Sequence, residues 1–114
     1  MIKPALLQKM IHEFDFVPQA IIAEPIDEVA KRFGSEIEKG YDDFDEYEGA
    51  AGWVDGQPFA LMHYSGHPAS TSTIYLPFGT RELDKISEIV SRIVTDLELS
   101  PKSITWQRKD DPDL

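Results

Sequence analysis

The sequence predicts an α+β domain in which an antiparallel sheet of three to five strands packs with two or three amphipathic helices as a two-layer sandwich. Three observations predict it. Asp55-Gly56 stands between two β-rich runs, residues 49–54 and 57–64, and reads as a two-residue hairpin turn. Leu83, Ile86, Ile89, Val90, Ile93, Val94 and Leu97 recur at helical spacing and form the strongest periodic pattern in the chain. The length of 114 residues, 41% of them hydrophobic, suits one core, so residues 1–114 are read as a single domain with a frayed acidic tail over about 108–114.

In chain order, the first helix is expected over residues 3–14. Pro4 suits a first turn, and Ile2, Leu6, Leu7, Met10, Ile11 and Phe14 follow on one face. Residues 15–23 are ambiguous: Ile21 and Ile22 suit a short edge strand, with Pro18 tolerated at its beginning. A second helix is expected over residues 25–33, with Ile26, Val29, Ala30 and Phe33 on one stripe and Gly34 as its stop. The polar, acidic stretch 35–43 reads as loop.

The two-residue turn dictates a register. Val54 pairs with Gln57, Trp53 with Pro58, Gly52 with Phe59 and Ala50 with Leu61, and further out Glu48 faces His63 and Tyr47 faces Tyr64. A third strand is expected over 71–78, a long helix over 81–98 with Thr80 as N-cap, and a last strand over 102–107. Alternation then sorts the sheet. Ala51, Trp53, Ala60, Met62 and Tyr64, joined by Ile74, Leu76 and Phe78 if the intervening loop preserves parity, form a core face covered by the long helix. Glu46, Glu48, Phe59, Leu61, His63, Thr73 and Tyr75 form a second, partly covered face.

Charge locates a second feature. The net charge is −10, yet residues 36–55 alone hold eight acids against Lys39, and residues 56–80 carry no formal charge. So acidic a surface disfavours direct nucleic-acid binding. The absence of cysteine excludes disulfides, thiolate nucleophiles and thiolate metal sites. Apolar runs are far shorter than a bilayer span and the N-terminus does not read as a signal peptide, so the expectation is a cytoplasmic protein with no membrane contact.

Candidate chemistry is sparse. His63 and His67 are four apart, but that spacing converges on a metal only on a helix, and here it straddles a strand end and a loop. Glu48 across from His63 offers a carboxylate–imidazole pair, so Glu48, His63 and His67 are the candidates for acid–base catalysis, with Tyr75 nearby on the same face. Ser65 lies in Tyr-Ser-Gly-His rather than a nucleophile elbow, and neither a phosphate loop nor a calcium-binding loop is spelled. No cofactor and no metal are expected.

The more specific segment is Tyr41, Asp42, Asp43, Phe44, Asp45, Glu46, Tyr47 and Glu48, where aromatics interleave with carboxylates. Rings supply contact area and acids steer association, which suits a basic protein partner. The leading expectation is a non-enzymatic interaction module, antitoxin-like or immunity-like in kind, binding through that segment. A small ligand-binding domain or enzyme around Glu48, His63 and Tyr75 is the alternative, and a homodimer the third.

Overall fold

Asp55 and Gly56 have φ of 50° and 80°, the left-handed backbone that a two-residue hairpin of right-twisting strands requires and that Asp and Gly adopt at low cost. The computed structural model describes residues 2–42, 45–80 and 82–109 of the chain. They form β1 (Ile2–Ala5), α1 (Leu7–Glu13), β2 (Phe16–Ile22), α2 (Ile26–Arg32), β3 (Glu38–Tyr41) and β4 (Glu46–Val54). After the Asp55-Gly56 turn come β5 (Gln57–Tyr64), β6 (Ser72–Pro77), α3 (Leu83–Asp96), a 3₁₀ turn (Pro101–Ser103) and β7 (Ile104–Gln107). The strands build one antiparallel seven-stranded sheet of order β1-β4-β5-β6-β2-β7, with β3 also on β4.

The β4–β5 register runs from Val54↔Gln57 to Tyr47↔Tyr64 through Glu48↔His63, as the two-residue turn predicts. The sheet is nevertheless larger than the three to five strands expected, because two short strands lie in segments without strand character. Ile2–Ala5 occupies the predicted start of the first helix, which begins only at Leu7. Pro4 is accommodated there because β1 is an edge strand, where a missing N–H breaks no inner ladder. Glu38–Tyr41 falls in the acidic stretch read as loop. Each covers half of the outer edge of β4: β1 pairs with residues 51–54 and β3 with residues 46–49. An exposed edge on the longest strand is thereby closed.

The helices occupy both faces of this sheet, so the arrangement is three-layered rather than a two-layer sandwich. Leu7 and Met10 of α1 pack with Tyr47, Ala51, Ala60 and Met62. Ile26 and Val29 of α2 and Ile86, Ile89, Val90, Ile93 and Val94 of α3 pack on the other face against Ile22, Val54, Phe59, Leu61, Ile74 and Leu76. The long helix therefore covers Ile74 and Leu76 of β6, as expected, but on β4 and β5 it covers the face opposite to the one predicted. The error lies in the parity assumed across residues 65–70. Ala60↔Tyr75, Leu61↔Ile74 and Met62↔Thr73 are the pairs formed, and opposed residues share a face. Thr73 and Tyr75 thus join Ala60 and Met62 beneath α1. Two successive turns, His67 N–H to Tyr64 C=O at 2.9 Å and Thr71 N–H to Pro68 C=O at 3.1 Å, build this loop. A one-residue change of register across it moves every β6 side chain to the other face.

Other boundaries shift less. β2 is an inner strand between β6 and β7, and Pro18 lies within it beside a bulge at Pro18/Ala20, where ladder bonding is already interrupted. Gly34, with φ of 72°, ends the α2 region as expected. Glu82 rather than Thr80 precedes α3, and Arg81, its expected first residue, lies outside the described residues. Of the tail, Arg108 and Lys109 are described and residues 110–114 are not.

One contact ties α1 to β3. Leu6, at the N-cap position of α1, provides no side-chain cap, and the first turn holds no acid of its own. Glu38 of β3 fills that role: its carboxylate accepts from the Leu7 N–H and, at 3.2 Å, from the Gln8 N–H. These are N–H groups that a helix cannot satisfy internally. Glu38→Gln is expected to lower stability by about 1 kcal/mol in urea unfolding, whereas Glu36→Gln on the exposed stretch nearby should be neutral. Equal midpoints for the two variants would contradict the capping role.

Candidate functional site

The acidic segment folds into the β3–β4 hairpin and projects from one end of the sheet. Its tip is closed by Asp42 N–H to Asp45 C=O at 3.2 Å, and by Asp45 N–H to the Asp42 carboxylate at 3.1 Å. Asp43 and Phe44, two of the expected partner-binding residues, lie outside the described residues. Among the others exposure is divided. The Tyr41 ring is 77% exposed, Glu46 is exposed, and Asp42, Asp45 and Glu48 are partly buried.

Tyr47 is a correction to the expected surface set: it is buried against α1. Its ring meets Tyr64 edge-on at 5.7 Å and its hydroxyl accepts from Gln8 Nε2 at 2.8 Å. Gly40, directly opposite Tyr47 in the ladder, leaves room for that ring, since a Cβ there would collide with it.

The hairpin is joined to the hydroxyl-rich loop that follows β5. Ser65 N–H donates to the Glu46 C=O at 3.0 Å. The Ser65 hydroxyl hydrogen-bonds the Asp45 carboxylate and, with the Glu46 N–H, holds the Asp45 pKa below its ordinary value. That Glu46 N–H lies 2.8 Å from Asp45 Oδ1.

Glu48 and His63 stand opposite each other in the ladder, but each is engaged elsewhere. Glu48 lies 3.8 Å from Lys39 Nζ in an exposed pair. His63 Nε2 sits 3.1 Å from the carbonyls of both His67 and Pro68. Two carbonyl acceptors require the hydrogen to be on Nε2, so the ring pins the loop in place. His67 is exposed, and its ring lies tilted against that of Tyr64, 6.2 Å between centroids. Tyr75, expected beside Glu48 and His63, lies on the α1 face with Ala60. The sheet thus separates the members of that candidate catalytic set. Among the described residues no group of three His, Asp or Glu side chains converges as a metal site, and no helix is long and apolar enough to cross a membrane.

An open groove of about 540 Å³ runs along the hairpin end, with Tyr41, Glu46, Glu48, His63, Lys39 and Ser65 in its walls. A second open cavity, of about 440 Å³, lies on the α1 side and is walled by the rings of Phe14, Phe16, Tyr47, Tyr64 and Tyr75. Tyr41 and Tyr47 line both. Burial, followed by a hydrogen bond to Asp42, pushes the Tyr64 phenol well above its ordinary pKa, and burial with the Asp42 charge pushes Tyr75 the same way. Sequence reasoning missed this second cavity. The signal available was the number of rings, Phe14, Phe16, Tyr47, Tyr64 and Tyr75, in segments flanking the predicted hairpin, but which of them share a face depends on the β6 parity. Comparison with protein-family models, with curated proteins and with solved structures finds no match.

Proposed function

We propose that this chain is a non-enzymatic interaction module whose β3–β4 hairpin end docks a basic protein segment. The observation that carries the proposal is Tyr41: a ring 77% exposed, at the rim of an open groove that also holds Glu46 and Glu48. An exposed tyrosine set among carboxylates gives a partner a rigid contact surface, while the charges raise the encounter rate and select a basic surface. Asp42 and Asp45 add charge at the hairpin tip, and Lys39, the one lysine or arginine among the described residues of the groove wall, is already paired with Glu48. The Ser65 and His63 contacts hold hairpin and loop in fixed relation, so the surface is organised before a partner arrives.

A labelled lysine- and arginine-rich peptide, titrated by fluorescence anisotropy, tests the reading. Binding should be tight at low salt, weaken at high salt and be absent for an uncharged peptide of the same length. Tyr41→Ala should weaken it by about tenfold, and Glu46→Gln should slow association and flatten the salt dependence. Equal affinity for basic and uncharged peptides, or indifference to Tyr41→Ala, would refute it.

A further inference from the structure

We propose that the cavity between α1 and the β5–β6 part of the sheet is a binding site for a small organic cation with a quaternary ammonium head. Its volume of about 440 Å³ falls in the range of about 300–1,000 Å³ of small-molecule pockets. The composition of its walls indicates what would occupy it. Phe14 and Phe16 meet Tyr47, Tyr64 and Tyr75 around the space, Tyr41 stands at the hairpin side, and Asp15 and Asp42 contribute carboxylates. Neither lysine nor arginine lines it, and His12 is its one imidazole. Aromatic faces carry negative quadrupole potential, so rings with nearby carboxylates favour a cation and oppose an anion.

The hydrogen-bonding state of the walls narrows the class. The Tyr47 hydroxyl already accepts from Gln8, and the Tyr64 hydroxyl is already bonded to Asp42. A primary ammonium or a guanidinium would compete with these bonds for the Asp42 carboxylate and the phenol oxygens, and most of the wall it would face is ring surface that accepts no N–H bond, so part of its donors would go unmatched. A quaternary ammonium has no N–H to satisfy and makes its contacts by methyl groups against ring faces. Burial keeps the Tyr64 and Tyr75 phenols protonated, so both present neutral π faces. A shallower space of about 380 Å³, lined by Asp45, Gly66 and His67, shares Tyr64 and Tyr75 with the cavity. A short polar substituent on the ammonium would extend there, towards the loop over residues 65–70. The site lies on the α1 face and does not depend on the basic-peptide surface being correct.

Calorimetric titration of the full chain with choline, and with 3,3-dimethylbutanol as its uncharged isostere, tests the site. Choline should bind at least about tenfold more tightly than the isostere, because the two share shape and differ in charge. Tyr75→Leu should abolish the preference for choline and Tyr75→Phe should retain it. Asp42→Asn keeps an oxygen for the Asp45 N–H and should weaken choline without affecting the isostere. It serves as the deciding variant if Tyr75→Leu unfolds. The proposal fails if choline does not bind, if choline and isostere bind equally, or if Asp42→Asn leaves choline affinity unchanged. It fails also if a trimethyl-lysine peptide binds where choline does not.

Discussion

Truncating Phe59 to alanine is expected to reduce the free energy of unfolding by about 3–5 kcal/mol, seen as a lower urea midpoint at constant slope. Phe59 is fully buried and heads the largest side chains of the interior. It sits on inner strand β5, with the Phe33 ring 6.1 Å away and Ile22, Val54, Leu61, Ile74 and Leu76 in the same cluster beneath α2 and α3. A ring enclosed by backbone on one side and two helices on the other leaves a void that neighbours cannot readily fill, so the lost transfer energy and the cavity cost add. Parity carried through the loop after β5 would put Phe59 on a partly open face. Truncation there would cost far less. A loss near 1 kcal/mol would therefore favour the sequence-derived face and count against the one described.

That contrast marks where the sequence is legible. A two-residue turn has almost no freedom, so Asp55-Gly56 determines the β4–β5 pairing out to Tyr47↔Tyr64. The α3 stripe is legible for a similar reason, since fourteen residues sample the helical period several times. β3 was not legible: four residues, two of them charged, become a strand because the edge of β4 offers backbone partners. β1 was hidden by Ile2, whose helical spacing to Leu6 coincides with its role as a strand residue packing beneath α2 and α3. The candidate site divides along the same line. The opposition of Glu48 and His63 is local and correct in register, but their contacts are set by Lys39 on the unforeseen strand and by the His67 and Pro68 carbonyls of the loop. The α1-side cavity depends on which face β6 presents, and one residue of loop register decides that.

Replacing Gln19 by methionine is expected to raise stability by about 1–3 kcal/mol, an uncommon sign for a substitution inside a core. Gln19 is fully buried, and among the described residues neither its Nε2 nor its Oε1 has a hydrogen-bond partner. The bulge at Pro18/Ala20 does not use this amide. Its backbone groups are met from the other side of the strand, where Arg108 N–H donates to the Gln19 C=O at 2.8 Å and the Arg108 guanidinium donates to the Pro18 C=O at 3.0 and 3.1 Å. The side chain can therefore lose its polarity without loosening the backbone. Methionine has nearly the same length and enough torsional freedom to fill the same space, so the desolvation cost of an unpaired amide is removed with little change in packing. Gln19→Glu provides the opposite sign. The same volume would then carry a carboxylate with no donor in reach, and its charged form would be strongly destabilised. The expected order of midpoints is Gln19→Met above the unsubstituted chain and Gln19→Glu well below it. If Gln19→Met falls below instead, the amide is paired in solution and contributes to holding β2 beside β7.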